Sequence, residues 1–357
     1  MKAVVLKEIG KIEVQMVEKP KPQRGEILME VKTVTTCGTD VKTFVRGYPN
    51  TTYPKLFGHG ECAGVVAEVG EGVEKFKVGQ RIVAHNSAPC MECEMCISHN
   101  YMACQNWGTD PGDIKTRYPL GRGGYQEYYL IPEQIARINT FEIPDDISYE
   151  EACQLEPFSC AVNGSAISNV KLGDTVAIIG CGPQGLYHMQ VSGLLGATTH
   201  IMIDPVDYRL KKAEKIHANR PGKLYTINPL KEDVEEKVKE LTEGIGPDVV
   251  IEAAGLPETD SQALRMVRKL GLVNWYAGTK PGSSVTVDLG RIHYGGLTIK
   301  GTTHTNPYYV HKAWKLITTR GVNVKDIVTS TMSLEEVPKA FEILTTKKDQ
   351  LKIAIIP

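Results

Sequence analysis

The sequence predicts a mixed α/β protein with a β-rich front part and an α/β unit with a parallel sheet behind it. Three observations predict this. The chain has 357 residues, which at roughly 100–200 residues per domain gives two domains, or three. Its first 150 residues carry short β-branched runs separated by Gly, Pro and Lys/Glu turns. From about Asp174 onward, strand-like and helix-like patterns alternate at short intervals, as βαβ units do.

In the front part the predicted strands are Val4–Leu6, Glu13–Met16, Ile27–Val34, Gly64–Val69 and Arg81–Ala84, with turns such as Glu71-Gly72 and Val78-Gly79. Their regular spacing suggests a partly closed, barrel-like sheet. Residues 105–124 break this pattern. They are polar and rich in turn residues, with Pro111, Gly112 and Pro119, and read as a long surface excursion of the kind that usually serves function. In the second part Thr175–Ile179, His200–Ile203, Leu224–Ile227 and Asp248–Ala253 read as strands. A helical pattern opens at Gly185–Gly193, and others cover Tyr208–Ala218 and Val234–Thr242. The tail adds strand Thr298–Lys300, helices Tyr309–Arg320 and Leu334–Thr345, and strand Lys352–Ile356.

Composition excludes several functions. Hydrophobic residues are 41% and charged residues 23%, the balance of an ordinary soluble globular protein. Lys plus Arg (41) against Asp plus Glu (42) leaves a net charge of −1, so neutralising nucleic-acid phosphates is not an expected role. No run approaches the about 20 apolar residues of a membrane helix. The opening Met1-Lys2-Ala3-Val4-Val5-Leu6 is too short an apolar run for a secretion signal, so a cytoplasmic location is expected. Of nine cysteines, four fall between Cys90 and Cys104. An odd count with one tight cluster argues for reduced thiols and metal.

Thr175–Ile179 runs into Gly180-Cys181-Gly182-Pro183-Gln184-Gly185, and an acid, Asp204, ends the next strand. Strand, glycine turn, helix and following acid form the dinucleotide fingerprint. Gly180 permits the tight turn, Gly182 lets backbone approach a pyrophosphate, and Gly185 lets the helix pack on the sheet. The helix N-terminus then presents free N–H groups to the phosphates. Asp204 would accept the adenosine ribose hydroxyls and repel a 2′-phosphate, so NAD is expected over NADP. Arg209 lies either against the adenine or on the solvated helix face.

Cys90, Cys93, Cys96 and Cys104 are spaced C-x2-C-x2-C-x7-C. Four thiolates from one lobe close a tetrahedron around zinc with no open position, which makes a structural site. An iron–sulfur cluster is the competing reading. Three separate pieces carry a second ligand set: Cys37-Gly38-Thr39-Asp40, Gly58-His59-Gly60-Glu61, and Glu156-Pro157. Singly they read as a buried Cys, a satisfied His and a surface Glu. Together, a Cys, a His and a carboxylate would leave the fourth, open position that catalytic zinc needs. A bound alcohol or water would there be acidified toward neutrality.

With these features, the whole chain resembles the zinc-dependent medium-chain dehydrogenase/reductase superfamily. Cys37-Gly38-Thr39-Asp40 and Glu156-Pro157-Phe158-Ser159 look like its polyol (sorbitol) dehydrogenase branch, which includes threonine and archaeal glucose dehydrogenases. The resemblance implies a GroES-like catalytic domain with a structural zinc lobe (residues 1–154). A Rossmann doubly wound domain (155–291) is inserted before a C-terminal part (292–357) that completes the catalytic domain. It implies two zinc ions per chain. Cys37 and His59 match the catalytic-zinc ligands, alcohol dehydrogenase being the familiar example. Glu156 matches the polyol-branch carboxylate on the metal or its water, and the cysteine lobe matches the structural site. Val250-Ile251-Glu252-Ala253-Ala254-Gly255 matches the strand and turn beside the nicotinamide, with Ala254 among the cofactor-binding residues.

Two departures stand out. The family pattern Gly-His-Glu-x-x-Gly is interrupted here by Gly60, which leaves Glu61 either a ligand or an outer group. Lys42 stands where relatives often carry a proton-relaying His, and reads as facing solvent.

The expected reaction is reversible oxidation of a secondary alcohol, polyol or sugar-like, to its ketone, in the cleft between the domains. Thr39 would take the proton, and hydride would pass to the nicotinamide. Arg117 and Arg122 read first as salt-bridge residues and second as contacts to a charged substrate. A threonine, amino-alcohol or glucose dehydrogenase is the enzymatic alternative. A zinc-stabilised dinucleotide-binding regulator is the non-enzymatic one, and predicts one zinc per chain. The family implies a homodimer or homotetramer joined through edge strands, here within Gly290–Lys300.

Overall fold

The computed structural model describes residues 1–47, 52–107 and 117–357. The part of the expected excursion at 108–116 lies outside them. In chain order the strands are β1 (Lys2–Glu8), β2 (Lys11–Met16), β3 (Ile27–Thr35), β4 (Lys55–Leu56), β5 (Cys62–Val69), β6 (Arg81–Ala84), β7 (Tyr128–Ile131) and β8 (Thr140–Glu142). Next come β9 (Thr175–Ile179), β10 (Thr199–Ile203), β11 (Lys223–Ile227), β12 (Val249–Glu252), β13 (Leu272–Trp275) and β14 (Thr298–Gly301). The last two are β15 (Val328–Ser333) and β16 (Lys352–Ile356).

Two compact units result: Met1–Ser159 with Asn306–Pro357, and Cys160–Thr305. The second is thus inserted into the first. The divisions expected at 154/155 and 291/292 fall short of these limits. The helix Leu289–Gly295 spans the latter, and β14 beyond it pairs parallel with β13.

The first unit holds a small sheet, β2-β1-β4, and a larger one, β15-β16-β3-β5-β6-β8 with β7 also on β3. Its spine is β3, whose apolar sequence is buried along almost its whole length. The pairing of β3 with β5 and β16 is antiparallel, setting Val34 opposite both Cys62 and Ile355. The end of β3, the start of β5 and the last strand therefore meet at one place. Behind them lies a core that includes Val4, Leu6, Ile27, Met29, Phe57, Tyr125 and Phe341. The rings of Phe57 and Phe341 stand 4.9 Å apart, and those of Tyr125 and Phe341 5.8 Å, tilted or edge-on. Such pairs add about 0.5–1.5 kcal/mol beyond their area. Phe341 comes from the helix Val337–Thr346, so these contacts fasten the returning tail to the front part.

The second unit is a six-stranded sheet in the order β11-β10-β9-β12-β13-β14, parallel throughout. Strand β12 is buried at every position and β9 and β10 at all but the first, as parallel strands covered on both faces require. The order reverses between β9 and β12, and doubly wound sheets bind ligands at the carboxyl ends beside such a switch point.

Candidate active site

The cysteine lobe is built on tight backbone. Met91 has φ 67°, and Cys93 opens the short helix Glu94–Ile97. The sulfurs of Cys90 and Cys96 lie 3.9 Å apart, those of Cys93 and Cys104 3.9 Å, and those of Cys104 and Cys90 3.5 Å. A tetrahedron with zinc–sulfur bonds of about 2.3 Å has edges of about 3.8 Å. The donor set therefore fits a closed zinc site. The amides of Glu92 and Cys93 donate to the Cys90 sulfur and draw its thiol down to about 6, favouring the thiolate that a metal needs.

The second group assembles where the three strands meet. Cys37 caps the helix Gly38–Arg46, its Sγ accepting from the Thr39 amide at 3.3 Å. Its own amide donates to Asp40 Oδ2 at 3.1 Å. The ligand atoms of Cys37, His59 and Glu61 all lie within 4.8 Å of one another. Glu156, near the start of the helix Leu155–Ile167, places Oε2 3.7 Å from His59 Nδ1. Cys37, His59 and Glu61 thus converge, and Glu156 stands beside His59 outside that group. The Gly60 insertion does not separate His59 from Glu61, because Gly60 takes φ +93°. A side chain there would meet the Tyr129 hydroxyl at 2.9 Å, so the loop closes only on glycine.

Glu61 is fully buried. Its Oε2 accepts from Thr35 Oγ1 at 2.7 Å and from Lys352 Nζ at 2.5 Å, while Oε1 has no partner. An orphaned buried carboxylate oxygen beside a thiol and an imidazole is what a cation site shows before its ion is counted. Burial lifts the carboxyl of Glu61 and the thiol of Cys37 above their ordinary values. Burial also opposes a charged His59, but Glu156 and Cys37 outweigh it and hold the imidazole well up. This crowd of acidic groups around one point favours a cation. A zinc ion fits here, held by Cys37, His59 and a carboxylate.

Several neighbours were not foreseen. Lys352 opens an apolar strand and gives no sign in sequence of its burial against Glu61, nor does Asn86 of its hydrogen bond to the His59 carbonyl at 3.0 Å. Arg122 is no substrate contact at the surface. It is buried, donating to Tyr129 and to the carbonyls of Leu130 and Asn86. Arg117 pairs with Glu26, as a salt-bridge residue does. Lys42 lies half-buried in the helix Gly38–Arg46.

In the inserted unit, Gly180 has φ +99°. A Cβ on Gly185 would stand 1.8 Å from the Gly180 carbonyl oxygen, whereas one on Gly182 would meet nothing within 4 Å. The helix Pro183–Leu195 starts with no side-chain cap, leaving its first N–H groups for an anion. These features fit a dinucleotide. Gln184 accepts from the Tyr276 hydroxyl at 2.7 Å, and the Ala254 amide donates to Glu252 at 2.9 Å. Asp204 is less free than expected. It is 2% exposed, its two oxygens accept from Cys181 and Val206 amides at 2.8 Å, and Arg209 stands 3.6 Å away. Each carboxylate oxygen still has a second lone pair for a ribose hydroxyl. Arg209, its side chain 30% exposed, stands beside Asp204 on the helix Asp207–His217.

A β-rich unit with a cysteine-built metal lobe, interrupted by a doubly wound parallel sheet, defines the class of zinc-binding dehydrogenases. Residues 23–145 match the alcohol dehydrogenase GroES-like domain and residues 183–319 the zinc-binding dehydrogenase family. The chain is 31% identical to sorbitol dehydrogenase of Bacillus subtilis (strain 168), covering 100% of this chain and 97% of that protein. It is 33% identical to L-threonine 3-dehydrogenase of Caldanaerobacter subterraneus subsp. tengcongensis, over 95% of this chain and 94% of that one. A solved structure described as a putative zinc-binding dehydrogenase from Sinorhizobium meliloti 1021 bound to NADP superposes with a TM-score of 0.87 at 30% identity, covering 100% and 99% of the two chains. The chain therefore belongs to the zinc-dependent medium-chain dehydrogenase/reductase superfamily, among its polyol dehydrogenase-like members. It is an oxidoreductase of that family.

Proposed function

We propose that this protein is an NAD-dependent dehydrogenase that interconverts a secondary alcohol, polyol or sugar-like, and its ketone. The observation that carries the reading is the convergence of Cys37, His59 and Glu61 within 4.8 Å, beside Glu156, in a chain that also carries the Gly180–Gly185 cradle. When bound, zinc supplies Lewis acidity to the hydroxyl oxygen and the nicotinamide supplies a hydride acceptor. Cys37 and one carboxylate offset the charge of the divalent ion. Glu61, orphaned at Oε1, and Glu156 are the two candidates for that carboxylate. Thr39, in the first turn of the helix that Cys37 caps, takes the proton the alcohol loses. The C–H electron pair leaves with the hydride, so alcohol and oxidised cofactor give ketone, reduced cofactor and one proton. Asp204 at the end of β10 favours a ribose hydroxyl over a 2′-phosphate, which supports NAD.

Two zinc ions per chain follow from this reading, one in the cysteine lobe and one at Cys37. Elemental analysis should find two, and Cys37→Ser should lose one of them together with all turnover. A single zinc in the active wild-type protein would sink the proposal, and a single zinc in a protein that turns over no alcohol would favour a dinucleotide-binding regulator. The same resemblances support a threonine or amino-alcohol substrate. A panel of polyols, butanediols, glucose and threonine, followed by NADH or NADPH absorbance above pH 8, separates these. We also propose assembly into dimers or tetramers through the β14 edge.

A further inference from the structure

Residues 122–125 touch both ligand-bearing loops. Downstream, the Tyr125 hydroxyl donates to Asp40 Oδ2 at 2.7 Å, and the same oxygen accepts from the Cys37 amide at 3.1 Å. The Tyr125 amide donates to Phe57 and that of Gly124 to Gly58, at 3.1 and 3.3 Å, which docks the chain entering His59. Upstream, Arg122 Nη2 donates to the Asn86 carbonyl at 3.1 Å, and Asn86 Nδ2 donates to the His59 carbonyl at 3.0 Å. Arg122 Nη1 donates to the Tyr129 hydroxyl at 2.9 Å and to the Leu130 carbonyl at 3.2 Å. That hydroxyl closes over Gly60. Asn86 is 1% exposed, so water cannot readily replace these bonds.

We propose that Arg122 is a positioning residue for the metal centre. Through Asn86 and Tyr129 its guanidinium holds the His59-Gly60 loop in the shape that brings both His59 and Glu61 to Cys37. The planar fork reaches three acceptors at once, which a lysine ammonium on its flexible stem cannot reproduce. The insertion makes the device necessary. A loop lengthened by a glycine loses conformational freedom on ordering, and groups behind metal ligands set affinity as well as orientation. The proposal rests on the reading that Cys37, His59 and a carboxylate hold zinc.

The test is zinc release from the full-length, zinc-loaded protein into a colorimetric chelator. The cysteine lobe, built from other residues, is the internal reference. Arg122→Met and Asn86→Ala should each speed release of one zinc by about 10–100-fold, the usual cost of losing an outer-shell partner, and leave the other phase unchanged. Arg122→Lys should behave like Arg122→Met. In the cobalt-substituted protein, the d–d bands of the Cys37 site should shift while the thiolate bands of the lobe stay. Should Arg122→Met not fold, Asn86→Ala decides alone. The inference is overturned if release stays at the wild-type rate, if both phases accelerate together, or if Arg122→Lys restores the wild-type rate. A wild-type protein holding one zinc instead removes the underlying reading, and this inference with it.

Discussion

Lys352 and Glu61 face each other at 3% and 0% side-chain exposure, with Lys352 Nζ also donating to the Thr36 carbonyl at 2.7 Å. Burial disfavours the ammonium, but Glu61 and Cys37 outweigh it and hold Lys352 above its ordinary value. The ammonium is therefore kept charged in the folded chain, against a carboxyl that burial itself pushes up. Removing one member of such a pair leaves an uncompensated buried charge, at about 3–5 kcal/mol. Lys352→Met should lower unfolding free energy by that order, measured by denaturant titration. Adding Glu61→Gln should recover most of it, because the pair itself offsets its own desolvation only roughly. If the double variant is as unstable as the single one, lost packing rather than lost charge is responsible.

The helix Pro183–Leu195 carries a buried polar seam. His188 sits against the Tyr276 ring with centroids 4.3 Å apart, edge-on, and bonds Ser165 at 2.7 Å. Ser192, one turn on, lies 3.0 Å from His200 Nε2 on β10. Burial takes His188 down to about 3 and His200 to about 4, from an ordinary 6.5. Below pH 6.5 the unfolded chain binds protons that the folded chain refuses, so stability falls with acidification from there to each depressed value. The slope approaches about 1.4 kcal/mol per pH unit for each ring. Denaturant unfolding at pH 7 and pH 5 should show this loss, and His200→Gln should flatten it. An unchanged slope in that variant would acquit the seam. Elements of this unit were the most legible in sequence, since β9, β10 and β12 are apolar runs bounded by Gly and Asp, and the glycine turn marks where the helix starts. Strands β13 and β15 do not stand out in the sequence, because Leu-Val-Asn-Trp and Val-Thr-Ser-Thr-Met-Ser mix polar residues into short stretches. At the site, ligand-type residues announced themselves by chemistry. Lys352, Asn86 and Arg122 did not, because their roles arise only when β16, the loop after β6 and residues 122–125 pack together.

At the scale of the whole molecule the open question is what becomes of β14. It ends the parallel sheet and pairs only with β13 among the described residues, leaving a row of backbone donors and acceptors on its far side. Proteins commonly blunt such edges with an outward lysine. Here Lys300 Nζ is instead turned back to the Ile167 carbonyl at 2.9 Å. The helix Leu289–Gly295 just before the strand leaves Leu289 73% and Tyr294 83% exposed, and exposed large apolar side chains are the material of association surfaces. A second copy brought up by a twofold axis would satisfy both features with the same residues on each side. Light scattering at micromolar concentration should therefore report a dimer or tetramer. Leu289→Asp combined with Tyr294→Asp should yield monomers that keep their zinc, because both positions lie far in sequence from the metal ligands. A wild-type monomer, or a double variant that stays assembled, would move the interface elsewhere.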